Sequence, residues 1–421
     1  MAFAQDGSVH SEWRLLAREA ATLYQAGKHE QAMAAAKKTL EFAEKNAPLD
    51  HPAIAASLSD LAVLHQDQGR YEQAEPLRQR SLAIREKALG PDHPDVALSL
   101  SGLAEIYQTQ GRYAEAEPLY QRALMIREKA FDPDHPYVAT SLSHLAEIYK
   151  AQGRYAQAEP LYQRLLAIYE KAFGPDHPNV AGSLTNLAEF YQAQGRYAEA
   201  EPLYQRSLAI YEQAFGPDHL KVAAGLSNLA GIYRDQGRYA QAEPMYQRSL
   251  AIEEKAFGPD HPNVATVLNN FAALCQAQGR YAQAEPLHQR SLMIQEKALG
   301  PDHPDIAASL HNFAALHQAQ GRYEQAEPLC QRSLAIREKA LGLDHPDVAA
   351  SLSNLAGIYQ DQGRYAQAEP MYQRSLAIVE KAFGPDHPDV ATILNNFAAL
   401  YQAQGRYVQA EPLHQRSLMI Q

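Results

Sequence analysis

Histidine side chains are the first place to look for chemistry in this sequence, because an imidazole binds metal ions and transfers protons near neutral pH. The chain has 17 histidines, and nine of them lie in an Asp-His loop that recurs at a constant step, from His51 and His93 through to His387. If each copy of the loop belongs to a separate pair of helices, as argued below, histidines of neighbouring copies lie about 10 Å apart or more. Histidines that bind the same metal ion must each lie about 2 Å from it. We therefore expect Asp or His in this loop to cap a helix, and we predict no metal site.

The other reactive side chains are also repeated copies. Glutamates of Ala-Glu-Pro and arginines of Gln-Arg each recur nine times, which is typical of ion pairs between repeats and not of one acid–base site. The sequence repeats along the chain, and Cys275 and Cys330 occupy the positions that are Tyr107 and Tyr120 in another copy of the repeat. We therefore expect both cysteines to be small buried apolar side chains. No phosphate-binding loop, nucleophile elbow or metalloprotease motif occurs. The sequence therefore predicts no catalytic residue, no enzymatic activity and no cofactor.

Charge and composition narrow the classes of partner. The formal net charge is −11, whereas binding to nucleic acid, including RNA binding by helical repeats, needs a basic surface. No apolar stretch approaches the length of a membrane span. Residues 1–9 lack the basic-then-apolar order of a signal peptide. We therefore expect a cytoplasmic protein without nucleic-acid or membrane partners.

The elements that must position these residues are set by an internal repeat. The tripeptide Gln-Gly-Arg recurs at the same step as the Asp-His loop, without insertion or deletion. Its glycines are Gly69, Gly111, Gly153, Gly195, Gly237, Gly279, Gly321, Gly363 and Gly405. Gly27 lies one further step before Gly69 and marks a tenth, degenerate unit.

Each unit has the apolar spacing of two helices. Between residues 94 and 110 the apolar side chains recur at steps of three and four, which predicts a first helix. A second helix is predicted over residues 113–131, and Gly111 between them suits a helix end that needs a left-handed residue. Alternating strands are absent, which argues against a propeller of WD repeats, and HEAT arrays lack this glycine-and-tyrosine signature.

The unit resembles the tetratricopeptide repeat, in the longer variant of kinesin light chains and of many bacterial proteins. The residues that carry the resemblance are, in one unit, Leu100, Leu103, Ala104, Tyr107, Gly111, Tyr113, Ala116, Tyr120 and Leu124. It implies an all-α fold, a right-handed superhelical α-solenoid of helix-turn-helix repeats. We expect residues 1–50 to form an atypical N-terminal capping repeat, and residues 51–421 to form nine repeats in one continuous solenoid, the last one truncated.

One position of the first helix carries the main binding prediction. In this family the first helices line the concave face, and in kinesin light chains asparagines directly before the Leu-Ala pair face a cargo peptide. Here that position is asparagine in six consecutive units: Asn186, Asn228, Asn270, Asn312, Asn354 and Asn396. An amide offers a donor and an acceptor, which match the main chain of an extended peptide. We call these six residues the asparagine ladder.

Two further positions of the first helix complete the predicted groove. Three positions after the ladder, earlier units have Glu105, Glu147 and Glu189, whereas later units have glycine or alanine. Glutamines line the edge, including Gln276, Gln318 and Gln360, with Lys150 and Arg234 as basic exceptions. Residues 258–295 and 384–421 are nearly identical, so recent duplication explains part of the ladder without selection for binding.

We interpret the chain as a protein-interaction adaptor whose concave groove binds an extended segment of a partner. The alternative is the sensor arm of a larger bacterial effector enzyme. Gln421 is equivalent to Gln295, where the helix continues, so we expect the source protein to extend further. The last unit keeps its apolar residues, which also predicts end-to-end self-association.

Overall fold

The fold consists of helices throughout the part of the chain that is described. The computed structural model describes residues 2–420, with side chains from residue 11 onward. Within these bounds there are 20 α-helices and no β-strand. The prediction of an all-α fold built from repeated helix pairs is confirmed. None of the described helices combines the length and the apolar character that crossing a membrane requires.

The helices form ten pairs along the chain. The first helices are α1 (Ala2–Gln25), α3 (Pro52–Gln66), α5 (Pro94–Thr109), α7 (Pro136–Ala151), α9 (Pro178–Ala193), α11 (Leu220–Asp235), α13 (Pro262–Ala277), α15 (Pro304–Ala319), α17 (Pro346–Asp361) and α19 (Pro388–Ala403). The second helices are α2 (His29–Asn46), α4 (Tyr71–Leu89), α6 (Tyr113–Ala130), α8 (Tyr155–Phe173), α10 (Tyr197–Phe215), α12 (Tyr239–Phe257), α14 (Tyr281–Leu299), α16 (Tyr323–Leu341), α18 (Tyr365–Phe383) and α20 (Tyr407–Ile420). The predicted bounds of α5 and α6 are each one residue too long.

A histidine caps the first helix of nine pairs. In α5 the main-chain N–H of Asp95 donates to Nδ1 of His93 over 3.1 Å, and the same bond recurs two positions after each loop histidine. The cap satisfies one of the free N–H groups at the helix start, which contributes about 1 kcal/mol. The sequence left the cap open between aspartate and histidine, and the structure assigns it to the histidine.

The Gln-Gly-Arg turn ends each first helix. Gly111 has φ of 70°, a left-handed conformation that glycine adopts without strain. This conformation lets the N–H of Arg112 donate to the carbonyl of Tyr107 over 2.8 Å, while the N–H of Gly111 donates to Gln108 over 3.0 Å. The two bonds satisfy carbonyls at the helix end, and the chain reverses direction within this short turn.

The chain divides into two compact units, residues 1–148 and residues 149–421. In the first unit α1 packs on α2, α3 on α4, and α5 on α6, and α2–α3 and α4–α5 join successive pairs. Val96, Leu100 and Ile126 are buried together, and Leu82 of the preceding α4 packs against them. Each core is therefore shared with a neighbouring pair, as expected of stacked repeats.

The second unit repeats this packing and adds contacts among its first helices. α11 contacts α13, α13 contacts α15, and α17 contacts α19, whereas no two second helices within its described part make a comparable contact. First helices are therefore closer together than second helices. Within this unit the stack curves so that the first helices lie on the concave side.

Ion pairs connect successive repeats, as predicted, and the structure identifies their partners. The glutamate of Ala-Glu-Pro pairs with the arginine of the next Gln-Gly-Arg turn, as in Glu75–Arg112 at 2.7 Å. The arginine of Gln-Arg pairs with a glutamate of the preceding second helix, as in Arg122–Glu86 at 2.6 Å. These side chains are partly exposed, so each pair contributes between zero and about 1 kcal/mol.

Candidate functional site

The asparagine ladder lies on the first helices α9 to α19 of the second unit. Five of its side chains are half-buried, and Asn396 is exposed. Asn354 Nδ2 lies 3.1 Å from Nδ1 of His311 in the preceding first helix. The other five amides make no hydrogen bond to any described residue. Five amides on the concave side thus keep both a donor and an acceptor available.

The position that follows the ladder by three is glycine in α11 and α17. Gly231 is buried, and a Cβ there would lie 3.7 Å from the Tyr246 hydroxyl and 3.8 Å from Nε2 of Gln192. Gly357 has the same surroundings, formed by Tyr372 and Gln318. A Cβ at either position would make ordinary van der Waals contact with a buried tyrosine and with a glutamine amide, which donates to Asp235 in one case and to Asp361 in the other.

Tyrosines of the second helix hold the predicted edge glutamines, a role that was not predicted from the sequence. The hydroxyl of Tyr204 donates to Oε1 of Gln192 over 3.0 Å, and Tyr372 donates to Gln360 over 3.4 Å. These bonds occupy the glutamine acceptor. The amide of Gln192 also donates to Asp235 over 2.8 Å, whereas the amide of Gln360 donates to no described residue. The signal was present in the sequence, because the glutamine and the buried tyrosine keep one spacing from repeat to repeat.

The other edge residues differ in how they are bonded. Nε2 of Gln318 donates to Asp361 over 3.0 Å, and Gln276 makes no hydrogen bond to a described side chain. Arg234 pairs with Asp235, with Nη2 2.8 Å from Oδ1. The Asp235 carboxylate therefore compensates the charge of Arg234, the basic residue predicted at this edge. Lys150 is half-buried in α7.

The glutamates of the earlier repeats are not equivalent. Glu105 and Glu189 are exposed, and Glu147 is half-buried. Near Glu105 lies Arg78, which replaces the second-helix tyrosine, is only 8% exposed and donates to Gln66. Burial lowers the pKa of Arg78, and the Glu105 carboxylate opposes that shift. A cation beneath Glu105 weakens the attraction of this glutamate for a basic ligand.

The tyrosine beneath the groove is replaced together with a first-helix residue. Where Tyr246 becomes His288, the first-helix partner is Asn269, and His288 Nδ1 lies 2.9 Å from Asn269 Oδ1. His414 and Asn395 form the same pair at 3.2 Å. In repeats that have tyrosine on the second helix, the first-helix residue at the position of Asn269 is serine or threonine. Histidine, which is smaller than tyrosine, is therefore accompanied by asparagine, which is larger than serine.

The chemistry of these groups is that of binding. Burial lowers the pKa of His288 to about 4 and raises the pKa of the Cys330 thiol to about 11, so neither a protonated imidazole nor a thiolate forms near neutral pH. Burial also raises the pKa of Cys275, and both cysteines are buried as predicted. Among the described residues, no group of three or more histidine, cysteine, aspartate or glutamate side chains is placed to hold a metal ion.

Comparison with known families gives one match. The model described as tetratricopeptide repeat matches eight overlapping segments, residues 53–129, 95–171, 137–188, 179–252, 221–297, 268–339, 305–359 and 347–421. Together these segments cover the chain from residue 53 to residue 421. A comparison with curated proteins finds no match.

Solved structures include similar repeat proteins. A putative kinesin light chain from Podosopora anserina with nearly identical tetratricopeptide-like repeats is 30% identical, over 49% of this chain and 97% of that chain, with a TM-score of 0.44. BtubC (BKLC) from P. vanneervenii is 24% identical, over 56% and 92% of the two chains, with a TM-score of 0.42. A Rap protein complexed with competence and sporulation factor is 15% identical, over 88% and 99%, with a TM-score of 0.56. At that identity the likeness concerns the fold alone.

Proposed function

The chain belongs to the tetratricopeptide-repeat family, and from this premise we propose that it is a protein-interaction scaffold whose concave surface binds an extended segment of a partner protein. The observation that carries the proposal is the row of unpaired amides on successive first helices of the second unit, from Asn186 to Asn396 with Asn354 as the one bonded member. An unpaired amide on a concave surface is a ready hydrogen-bonding group for a main chain.

The spacing of the rows suits an extended ligand. Neighbouring first helices of a repeat stack lie about 10 Å apart, which corresponds to about three residues of extended chain at ~3.3 Å each. Six rows would therefore match a segment of about 15 residues. Gly231 and Gly357 allow the ligand main chain to approach closely, and the amides of Gln276 and Gln360 are placed to donate to its carbonyls.

The glutamates give the ligand a charge preference. Glu147 and Glu189 carry negative charge on first helices, so contacts there favour a basic stretch of the partner. Glu105 contributes less, because Arg78 lies beneath it. Exposed charges are screened by salt, so this preference weakens as ionic strength rises.

Binding rather than catalysis is the activity that these groups support. Glu159, Glu201 and Glu369 are hydrogen-bonded to arginines of the next turn, which lowers the pKa of each carboxyl. A carboxylate held in this way is a poor general acid at neutral pH. The buried thiols and imidazoles beneath the groove are neutral, as described above.

The test removes two ladder amides from the second unit. Asn270→Ala together with Asn312→Ala should weaken binding by about 2 kcal/mol, about 30-fold, because each amide-to-main-chain hydrogen bond contributes about 1 kcal/mol. The probe is a fluorescein-labelled peptide of about 15 residues, selected from a random library against the unmodified chain and titrated by fluorescence anisotropy.

Matched controls separate the ladder from surface asparagines in general. Asn179 and Asn263 are exposed in the first turns of α9 and α13, and their replacement by alanine should leave the affinity unchanged. Unchanged affinity in the Asn270 and Asn312 variant, with normal helicity, would place the binding site elsewhere. Replacing Glu147 and Glu189 with glutamine should reduce the salt dependence of binding.

Self-association is a second partner prediction, and one observation favours it. Leu418 of α20 is 71% exposed, whereas Leu292, at the same position of α14, packs against the buried Ile306 and Leu310 of α15. We propose that, in a chain of residues 1–421, this surface of α20 pairs with a second copy. Sedimentation at increasing concentration checks this, and Leu418→Lys should lower the associated fraction.

A further inference from the structure

One glycine turn of the second unit contacts a loop that is distant in sequence. A Cβ at Gly153, between α7 and α8, would lie 3.1 Å from Cδ2 of His387 and 3.2 Å from Cδ of Pro388. Gly195 and Gly237 have the same left-handed conformation, and a Cβ at either would meet nothing within 4 Å. Between five and six repeats separate Gly153 from His387 along the chain.

The loop histidine of this contact is buried. The side chain of His387 is 6% exposed, compared with 20% for His303 and 41% for His93 in equivalent loops. All three histidines make the same cap bond, since the N–H of Asp389 donates to His387 Nδ1 over 3.1 Å. The cap therefore does not explain the difference in burial. His345, in another equivalent loop, has the same cap and is 7% exposed, so the contact itself rests on the distances at Gly153.

The contact extends to neighbouring residues on both sides. Burial raises the pKa of Tyr155, and the nearby carboxylate of Asp389 raises it further. Burial lowers the pKa of His387, while Asp389 and the main chain of Ala151 oppose this shift. Residues 151–155 and residues 387–389 thus lie against each other. We call this contact the latch.

The latch is unusual for a repeat stack, in which each repeat contacts only its neighbours. The first helices between its two sides carry Asn186, Asn228, Asn270, Asn312 and Asn354. A contact that joins the two ends of this set fixes the curvature of the stack between them, because the angle between successive repeats no longer varies freely. The same first helices carry the asparagine ladder, so a ligand of the ladder would meet the curvature that the latch fixes.

We propose that the latch is a conformational gate: it holds the repeats from α8 to α18 in a closed turn, and a ligand of the asparagine ladder gains access when it opens. The part that concerns the ligand rests on the proposed function. The closure itself concerns the chain alone and is tested without a ligand.

The first experiment traps the closed state with a disulfide. Gly153→Cys with Pro388→Cys should form an intramolecular disulfide under mild oxidation of the folded protein, detected by mobility on a non-reducing gel. Gly195→Cys with Pro388→Cys is the matched control, since Gly195 has nearly the same φ and no neighbour. The native Cys275 and Cys330 are buried and remain in both variants. Absence of the disulfide in the Gly153 pair, or equal formation in the control, would overturn the closure.

The second experiment measures access to the groove. With the labelled peptide described above, oxidation of the Gly153 pair should slow association at least 10-fold, and reduction should restore the rate. Oxidation of the control pair should change nothing. A trapped disulfide with an unchanged association rate would leave the closure standing and remove the gate. Failure of the proposed function is distinguishable, because it would appear as an unaltered affinity in the Asn270 and Asn312 variant.

Discussion

The second-helix position beneath the groove is tyrosine in five repeats and histidine in two, one of which is the pair of α13 and α14. His288 is 1% exposed and meets Asn269. Tyr246 occupies the same position in the preceding repeat, with Ser227 as the corresponding first-helix residue. A phenol keeps its proton at any ordinary pH, whereas an imidazole gains one in mild acid. The exchange of tyrosine for histidine therefore makes the stability of this pair depend on pH.

The stability of the chain should fall as pH is lowered from about 6.5 to about 4. Burial lowers the pKa of His288 from 6.5 to about 4. The unfolded histidine therefore binds a proton within this window while the folded one does not, and the stability present above pH 6.5 is lost as pH falls. At pH 5 the loss from this residue is on the order of 2 kcal/mol.

The variant that tests this copies the neighbouring repeat. Asn269→Ser with His288→Tyr should reduce the loss of stability between pH 7 and pH 5, measured as the shift of the urea midpoint. Asn395→Ser with His414→Tyr is the control, because it makes the same exchange at a half-buried histidine. An equal shift of the midpoint in the unmodified chain and in the Asn269 variant would contradict the prediction.

The burial of a side chain was predictable from the sequence where its environment is the same in every repeat. The burial of Cys275 and Cys330 followed from comparison with Tyr107 and Tyr120, because a position in a repeat keeps its environment. The pairing of Arg234 with Asp235 was not predictable in this way, and neither was the burial of Arg78, whose guanidinium lies against Gly102 of α5. Both depend on side-chain directions and on a substitution found in a single repeat.

At the scale of the helix, a histidine cap and a proline determine where the first helix of a repeat begins. α11 is the exception, since it begins at Leu220 instead of proline. Its cap is intact, because the N–H of Lys221 donates to Nδ1 of His219 over 3.1 Å. The start of α11 therefore has the same folded geometry as the starts that have proline. The difference in stability comes from the unfolded chain, which has more conformational entropy with leucine than with proline.

The start of α11 should open more readily than the start of α13. The N–H of Val222 bonds to His219 over 2.9 Å, and the equivalent Val264 bonds to His261 over 3.0 Å. Proline in place of leucine stabilises a compatible site by about 0.4–1 kcal/mol, so Val222 should exchange its amide hydrogen about 2–5 times faster than Val264. Leu220→Pro should equalise the two rates. Equal rates in the unmodified chain would contradict the prediction.

Helix bounds came within one residue of the structure because each boundary has a local chemical cause. The histidine cap starts α5 and the left-handed Gly111 ends it, and both are visible in a sequence. The latch was not predicted, because it depends on the sum of small rotations over more than five repeats. No single residue encodes that sum, and Gly153 is identical in sequence context to glycines that contact nothing.

At the scale of the whole molecule, the two helices of a pair pack on each other, and each pair packs on its neighbours. Stability should therefore be a sum over repeats and their interfaces. The latch adds one contribution to the stability of the stack, and this contribution depends on the number of repeats between α7 and α19. Removing a repeat from this interval should leave the helices folded and separate the latch residues. Removing a repeat elsewhere should leave the latch in place.

Two deletions, each of one whole repeat, distinguish the stability of the repeat stack from the formation of the latch. Deleting residues 239–280 joins Arg238 to Tyr281, and deleting residues 71–112 joins Arg70 to Tyr113, so both keep an intact Gly-Arg-Tyr turn. Circular dichroism should show unchanged helicity per residue in both, because each remaining repeat keeps its neighbours. With cysteines at positions 153 and 388, only the 71–112 deletion should form the disulfide, since the other brings the two positions one repeat closer along the stack. Loss of helicity would contradict the additive stack, and a disulfide in the 239–280 deletion would mean that curvature adjusts freely and that the latch does not depend on repeat number.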